Sequence, residues 1–334
     1  MKFRRTVLLL FVSLAATAVR ADSVLGVASA YNLVALDGNI SDPSDVGGRV
    51  AASGTVYVAA VGQSLVNDPN ASLANGFLVV AGGGIPSGDQ IQVMTNGNIY
   101  APGSNSSNLL FNVHPPGSLV TTGASPINFA SLSSSLAAES LSLAAMVPTG
   151  QVLTAGQTGF PAGANPSWLA LVGTSATLNV FDLTASQFAS DQLDIVVPTG
   201  ATVVINVAGT SDALNSQINL NGTQLSNTSD AASNVLFNFD DATSLSLNAE
   251  INGSILAPYA LVTGNSEIDG TVIAAQIADN GEVDNAEFTG TVPPGPATTV
   301  TPEPSSLMLF GTGLLGLAGL MRWRRDWQVT EVGA

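Results

Sequence analysis

The chain has no cysteine, few aromatic residues and almost no positive charge in its central part. Cysteine is absent from all 334 residues, and 6% of them are aromatic. Without cysteine there is no disulfide and no thiol nucleophile, so packing and hydrogen bonds must stabilise the fold. Lysine is absent between residues 22 and 304, where Arg49 is the one arginine. The lack of lysine excludes a Gly-Lys-Ser/Thr phosphate-binding loop from this stretch.

The central part is strongly acidic. Residues 22–304 hold 22 of the 24 acidic residues against one arginine, a formal charge of −21. Such a body repels nucleic acid and anionic lipid, so we expect no nucleic-acid partner. Divalent cations or a crowded exopolysaccharide layer suit this charge. The body is also long enough to bury a large core.

The N-terminus has the features of a secretory signal peptide at residues 1–21. Basic residues at positions 2, 4 and 5 precede an apolar run at 7–16, and Ala21 stands before a cleavage point ahead of Asp22. The small residues at 16–18 offer an alternative cleavage site. We therefore expect the body to be exported.

The C-terminus combines a short polar motif, one hydrophobic segment and a basic cluster. The segment 305–321 is uncharged throughout, and its length is the lower limit for a helix that crosses a hydrocarbon core of about 30 Å. A linker rich in proline and threonine, 295–304, precedes it, and a tail, 326–334, follows the cluster. The cluster stays cytoplasmic by the positive-inside rule, which leaves the body outside. The polar motif is Pro302, Glu303 and Pro304, and the basic cluster is Arg322, Arg324 and Arg325.

This order of elements, at residues 302–325, resembles the PEP-CTERM sorting signal of bacterial envelope proteins. The resemblance implies an exosortase-type transpeptidase as a partner and a hydrophobic C-terminal helix that holds the protein in the inner membrane before processing. It also implies a final location in the bacterial cell envelope or extracellular matrix. An ordinary C-terminal membrane anchor is the alternative.

One short pattern recurs along the body: glycine, a small or polar residue, two apolar residues, then alanine. Neighbouring copies begin at Gly76 and Gly97 in one set, and at Gly253 and Gly270 in the other. A period of roughly twenty predicts a mainly β fold, a β-solenoid or β-helix filled by stacked Val and Ile. A Gly-rich β-sandwich is the alternative. The copies are at residues 48–52, 76–81, 97–102, 253–258 and 270–274, with a truncated echo at 290–292.

One α-helix is expected at about 128–147, between the two sets of repeats. Its charge is too low for a free surface helix, so we expect it to lie along the β structure and cover a face or an edge. Two strands around a tight turn are predicted at 194–207, and a hairpin at 218–225 through Asn-Gly. The apolar positions on one face of the helix are Phe129, Leu132, Leu136, Leu143 and Val147.

The order of motifs in the body resembles the choice-of-anchor A domain, a bacterial surface module. We assign this domain to residues 22–294. The resemblance implies a surface or matrix protein with an adhesive role and no established catalysis. Where that family commonly has a Glu-x-His element, this chain has Glu282-Val283-Asp284, so no metal site is carried over. The matching motifs are at residues 31–34, 44–52, 198–207, 237–239, 253–258 and 270–274.

Catalytic constellations are weak in this sequence. The one histidine, His114, precedes two prolines, a context typical of a solvated loop side chain and not of a Ser-His-Asp triad. Glycoside hydrolysis needs two carboxyl groups about 5–10 Å apart across a cleft. The acids at 240–241, or Asp191 with Asp194, are candidates only because acids are plentiful. We expect no enzyme, with a polysaccharide-acting hydrolase as an alternative.

Calcium is the one cofactor that the sequence suggests. The first of two oxygen-rich patches has ligand-type residues at alternate positions, as a calcium loop does, but it lacks the glycine and glutamate of that pattern. Turns with solvated acids are the alternative for both patches. The first patch is Asp37, Asn39, Ser41 and Asp42, and the second is Asp279, Glu282 and Asp284.

Together these observations predict an exported, structural or adhesive, non-catalytic protein. Its expected partners are extracellular polysaccharide or neighbouring surface proteins. An ice-binding β-helical protein is a further alternative, because coils, then a helix, then coils resemble one bacterial ice-binding fold, although a regular Thr-x-Thr ladder is absent. Arg49, alone among many acids, is expected in a partly buried ion pair.

Overall fold

The computed structural model describes residues 23–65, 74–111, 117–162, 164–190, 192–221, 223–224 and 232–293. The chain divides into two compact units, Met1–Pro293 and Pro294–Ala334, and the described residues belong to the first. No helix among them is long and apolar enough to cross a membrane. Outside the described residues lie the signal peptide 1–21, His114, Asp191, the linker 295–304, the segment 305–321, the tail 326–334 and the sorting residues Pro302, Glu303, Pro304, Arg322, Arg324 and Arg325.

Short parallel strands build a three-faced solenoid, in which successive strands of a coil lie on the first, second and third face. The first face is a continuous row of parallel strands. In spatial order they are β12 (Leu178–Thr184), β14 (Thr202–Ala208), β18 (Val235–Asn238), β21 (Ser254–Gly264), β23 (Val272–Ala278), β1 (Leu33–Ala35), β3 (Val50–Ala52), β5 (Phe77–Ala81), β7 (Asn98–Tyr100) and β9 (Leu119–Val120).

The second face continues from the same coils. The long strands β21 and β23 turn the corner, so their C-terminal parts belong to this face. The row is again parallel. Beside β21 and β23 it contains β15 (Ser211–Leu214), β19 (Ser244–Leu247), β2 (Ile40–Val46) and β4 (Val56–Val61).

The third face consists of two sheets. One contains the ends of β2 and β4 together with β20 (Ile251–Asn252), β22 (Ile268–Asp269), β24 (Val283–Asp284), β6 (Ile91–Val93) and β8 (Leu109–Phe111). The other has five strands and is antiparallel only at its two ends. These are β10 (Gln151–Leu153), β11 (Leu169–Val172), β13 (Leu193–Val196), β16 (Ile218–Leu220) and β17 (Thr223–Gln224).

The stack of coils is discontinuous in sequence. Leu33 of β1 pairs with Val272 of β23 on one side and with Val50 of β3 on the other. The chain therefore starts in the middle of the solenoid, builds coils to one end, crosses over, and returns from the other end. The two sets of predicted repeats become one continuous row on the first face, which confirms the solenoid and excludes the sandwich.

The interior is filled by columns of stacked apolar side chains. One column on the first face runs through both halves of the chain, and its members are almost completely buried. Burying each such side chain contributes about 1.5–3 kcal/mol, so the columns supply most of the favourable free energy of folding. In spatial order the column is Phe181, Ile205, Phe237, Ile255, Val272, Leu33, Val50, Val79 and Ile99.

Asn32 stabilises the seam, which is the junction of β1 with β23 where the N-terminal and C-terminal halves of the domain meet. It is completely buried, and its Nδ2 donates to the carbonyl oxygens of Gly270 and Asp284, each at 3.1 Å. Its own carbonyl accepts from Val272 N at 2.7 Å. A Cβ on Gly48 would lie 1.5 Å from Asn32 Oδ1, so only glycine fits there. The contact between Asn32 and Gly48 places the motifs at 31–34 and 44–52 side by side.

Helix α1 (Phe129–Ala144) covers the outer side of the first face, as predicted. Leu132, Leu136 and Leu143 are buried in a second apolar cluster with outward residues of that face. A hydrogen bond also holds the helix against the first face, where Ser140 Oγ donates to Asn238 Oδ1 at 2.6 Å. The helix ends before Val147, whose side chain is exposed, so the prediction of that residue on the apolar face was wrong.

Other local predictions had mixed outcomes. A short second helix, α2 (Ala185–Ser190), was not expected. Of the hairpin predicted at 218–225, the structure shows β16 paired with β17 and Asn221 at a φ of 52°, while Gly222 and Leu225 lie outside the described residues. The strands at 194–207 exist, but β13 and β14 belong to different faces and do not pair. The echo at 290–292 forms no strand.

The predicted ion pair of Arg49 is present at the seam. Arg49 Nη1 lies 3.9 Å from Glu287 Oε1, and both side chains are largely buried. The same nitrogen donates to the carbonyl of Ala30 at 3.5 Å. Burial lowers the pKa of the Arg49 guanidinium, while Glu287 and Tyr31 oppose that shift. The one basic residue of the body thus forms its ion pair at the junction between the two halves of the domain.

Candidate functional site

The second face presents a row of uncharged side chains to solvent, here named the neutral face. Its strands alternate, with apolar residues inside and small or polar residues outside, as expected for a half-buried strand. None of its eleven outward residues is charged, although the body carries a charge of −21. The neutral face is Ser211, Ala213, Ser244, Ser246, Tyr259, Leu261, Thr263, Gln276, Ala278, Ser41 and Tyr57.

Hydroxyl groups and two larger side chains shape the neutral face. Ser244 Oγ donates to Ser211 Oγ at 3.0 Å, and Ser246 Oγ lies 3.4 Å from Thr263 Oγ1. These contacts hold neighbouring coils in register on the outside. On β21, Tyr259 is 49% exposed and Leu261 is 38% exposed, so both side chains project from the neutral face into solvent. The strands of this face are parallel, and equivalent residues of neighbouring coils stand beside one another.

The third face of the same coils carries a very different pattern, here named the acidic ladder. Three successive coils repeat one tripeptide: Glu250-Ile251-Asn252, Glu267-Ile268-Asp269 and Glu282-Val283-Asp284. Ile251 pairs with Ile268, which pairs with Val283, so each position stacks on its equivalent. Neighbouring parallel strands lie about 4.8 Å apart. Two columns of oxygen-bearing side chains therefore run side by side.

Asp269 is the buried centre of the acidic ladder. Its exposed fraction is 0%, and neither carboxylate oxygen has a hydrogen-bond partner among the described residues. Carboxylate oxygens of Glu267, Asp269 and Asp284 all lie within 4.8 Å of one another. One coil away, Asn252 Nδ2 donates to Glu250 Oε1 at 3.1 Å. Burial, and then the surrounding carboxylates beginning with Glu267 and Asp284, raise the pKa of Asp269 to about 7.

The residues of the first predicted calcium patch are directed to separate partners. Asp37 Oδ2 accepts from Ser133 Oγ on α1 at 3.2 Å, and Asn39 Oδ1 accepts from Thr55 N at 2.8 Å. Ser41 is exposed on the neutral face. Asp42 is buried at a corner, where Oδ1 accepts from Ser44 N at 3.0 Å.

The second predicted patch is divided between two places. Asp284 belongs to the acidic ladder beside Asp269, and Glu282 is an exposed member of the outer column. Asp279 is buried at the corner before it, and burial raises the pKa of its carboxyl group. Glu267 and Asp269 were not among the predicted ligands. The sequence signal that could have identified them is the Glu-Ile/Val-Asn/Asp tripeptide, which occurs three times, once per coil.

A polar cleft lies beside the acidic ladder, where the two sheets of the third face adjoin. Its volume is about 320 Å³, and Glu250 is the one carboxylate among its lining residues. Hydrolysis by paired carboxyl groups needs a second acid across the cleft. Of the other acids considered for that reaction, Asp194 is buried on β13, and Asp241 Oδ1 accepts from Gly209 N at 3.1 Å. The remaining lining residues are Gln192, Asn215, Ser216, Gln217, Ile218, Ala249 and Asn252.

A known family covers most of the described chain. Residues 24–285 match the family described as "Putative Ice-binding-like adhesive domain". The chain belongs to this family. The ice-binding-like adhesive domain thus contains the Asn32 contacts of the seam, the neutral face and the strands of the third face. Residues 300–325 match the PEP-CTERM protein-sorting motif, so the chain is an exported cell-surface protein with that motif behind its adhesive domain.

Three solved structures are similar to the chain at low sequence identity. An ice-binding protein from the Antarctic ascomycete Antarctomyces psychrotrophicus is 12% identical, with a TM-score of 0.34, over 78% of this chain and 97% of that one. The ice-binding protein LeIBP from an Arctic yeast is 14% identical, with a TM-score of 0.30, over 81% and 95%. The DUF3494 domain of Shewanella frigidimarina ice-binding protein_1 is 14% identical, with a TM-score of 0.29, over 80% and 97%. No curated protein matches the chain.

Proposed function

We propose that this adhesive domain attaches the cell surface or its matrix to uncharged extracellular polysaccharide through the neutral face. The observation that carries the proposal is a row of uncharged side chains across neighbouring coils of a body of charge −21. Interface cores are depleted of charged residues and enriched in aromatic ones, which is the composition of this face around Tyr259. Anionic polymers are repelled by the rest of the body, so a neutral polymer is the better ligand.

The chemistry of a sugar chain suits this surface. Rows of serine and threonine hydroxyls both donate and accept hydrogen bonds, as sugar hydroxyls do. The exposed ring of Tyr259 offers an apolar face with a polar end, and Leu261 lies two residues further along the same strand. Repetition of similar residues from coil to coil suits a repetitive ligand, because many weak contacts add up by multivalency.

The processing steps and the absence of catalysis are part of the same proposal. Signal peptidase removes residues 1–21, the C-terminal segment holds the protein in the membrane, and an exosortase-type enzyme acts at the sorting motif 302–325. Residues 22–294 then remain as a non-catalytic module. The motif order of the choice-of-anchor A group, with Asn32 and Gly48 meeting at the seam, supports assignment to that group.

A binding assay tests the adhesive role directly. The exported protein is mixed with matrix polysaccharide from the producing bacterium, separated into neutral and anionic fractions. We expect binding to the neutral fraction without release of reducing ends. Replacing both Tyr259 and Leu261 with serine should weaken binding about tenfold or more, since interface aromatics dominate binding energy. The matched control is Leu141→Ser, an exposed leucine on α1. Equal binding by the double variant and the control would contradict the proposal.

Ice is a second candidate ligand for the same face. The description of the family favours it, as does a surface of uncharged side chains that repeats from coil to coil. Thermal hysteresis and faceted ice crystals, lost in the double variant but kept in Leu141→Ser, would assign the face to ice. Their absence, together with polysaccharide binding, leaves the adhesive role.

A further inference from the structure

We propose that Glu267, Asp269 and Asp284 form a binding site for a divalent cation, with Ca²⁺ preferred over Mg²⁺. The site belongs to the third face and does not depend on what the neutral face binds. Three carboxylates from two successive coils converge there, and each offers one oxygen within 4.8 Å of the others. Oxygens that share one Ca²⁺ at about 2.4 Å each are at most roughly 4.8 Å apart.

The buried carboxylate is the observation that points to a ligand. Asp269 is completely buried, faces the other two carboxylates and has no hydrogen-bond partner among the described residues. Such a carboxyl group either keeps its proton or ionises at a high cost, and a cation beside it removes the cost of ionisation. Residues 22–304 contain no lysine, and their one arginine pairs with Glu287 instead. A bound cation supplies the missing positive charge.

The surroundings suit calcium better than magnesium. Ca²⁺ accepts six to eight oxygen ligands in a tolerant geometry, whereas Mg²⁺ demands a tight octahedron at about 2.1 Å and keeps several waters. Glu282 is exposed in the outer column, and Glu250 with Asn252 occupies the next coil. The carboxylates of Glu282 and Glu250 add negative potential around the three ligands, and water completes the coordination.

The site lies directly behind the seam of the solenoid. Asn32 donates to the carbonyl of Gly270, the residue after Asp269, and to the carbonyl of Asp284 itself. A cation held by Asp269 and Asp284 therefore fixes the two coils that hold the N-terminal half in place. Because a ligand that binds only the folded state stabilises it by mass action, extracellular calcium should stabilise the whole domain.

The test is calcium titration of the exported protein, after treatment with chelator, by calorimetry and thermal unfolding. We expect saturable binding of one Ca²⁺ and a rise in Tm of about 5 °C at a hundredfold excess over Kd. Asp269→Asn should weaken calcium binding at least tenfold and raise the Tm of the metal-free protein, because repulsion is removed. Asparagine fits this position, as Asn252 occupies the equivalent place one coil earlier.

Matched variants separate a specific site from general charge screening. Asp284→Asn should weaken calcium binding, and Asp89→Asn, the same charge change far from the ladder in sequence, should leave it unchanged. No heat of binding and no change in Tm up to about 10 mM CaCl₂, well above the Kd of extracellular calcium modules, would overturn the proposal. A response retained in Asp269→Asn, or lost equally in Asp89→Asn, would also overturn it, and an equal response to MgCl₂ would overturn the preference.

Discussion

The neutral face and the acidic ladder come from the same coils and have opposite chemistry. β21 presents Leu261 and Thr263 on the second face, and the next strand, β22, presents Asp269 on the third. One corner therefore separates a surface with no charge from a surface with five carboxylates. In a fold of this kind, each position of the coil repeats along one face. The residue type at one position of the coil therefore sets the chemistry of a face, and repetition of that position from coil to coil sets the size of the face.

The two faces also differ in how they relate to the seam. The acidic ladder is next to the carbonyls that bind Asn32, whereas the neutral face has no such contact in the described residues. Changes near the ladder should alter stability, and changes on the neutral face should alter adhesion alone. Three substitutions of buried or largely buried residues, two at the seam and one inside the second face, measure how each region contributes to stability, in order of decreasing effect.

Asn32→Ala should have the largest effect. It removes both hydrogen bonds from buried carbonyl oxygens, and leaving such groups unsatisfied costs about 1–3 kcal/mol each. We expect a loss of about 3 kcal/mol in denaturant-induced unfolding. The matched control is Asn39→Ala, because Asn39 is exposed on a turn and accepts one bond from Thr55 N. If both alanine variants lose the same stability, the seam has no special role.

Arg49→Ala should have the next largest effect. It leaves the buried carboxylate of Glu287 without its cation, although the 3.9 Å separation and partial exposure reduce the cost to about 2 kcal/mol. Calcium binding should be unchanged, since this ion pair is separate from the ladder. Unfolding in denaturant with and without calcium measures both effects. An unchanged midpoint in Arg49→Ala would mean that the pair contributes nothing.

Much of the first face was predictable from sequence, because its glycine and β-branched pattern repeats at nearly constant spacing. The copies at 76–81 and 270–274 both became strands of one row. What sequence could not supply was the contact between Leu33 and Val272, which joins the two ends of the domain's sequence. A local sequence pattern does not indicate which coil the first strand, β1, will pair with. The 290–292 echo had the local pattern, but the place beside β23 is taken by β1, and Thr291 contacts Thr202 of β14 instead.

The functional surfaces were less predictable than the fold. Asp37 and Asn39 had calcium-type spacing within one loop, yet the structure gives each a hydrogen bond elsewhere. Asp269 and Asp284 are separated by one full coil of the chain and meet only because the coils stack. Metal-type clusters in a solenoid form across coils at the coil period, and a search for ligand spacing within one loop misses them.

Asp212→Asn should give the smallest and most pH-dependent effect. Asp212 is a buried carboxylate on β15 of the second face, in the inward register of Leu245. Burial, and then Asp241, raise its pKa from 3.8 to about 6. The folded state therefore holds this proton more tightly than the unfolded state, and its stability falls as pH rises through the window from 3.8 to about 6.

Asparagine mimics the protonated carboxyl group at every pH. The variant should therefore match the native protein near pH 4 and be more stable by about 1–2 kcal/mol near pH 7.5. Denaturant unfolding of both proteins at several pH values measures the gap. A gap that stays constant, or that grows as pH falls, would mean that Asp212 is not held protonated by burial. The expected gap would show that burial inside the second face makes the ionised form of Asp212 costly.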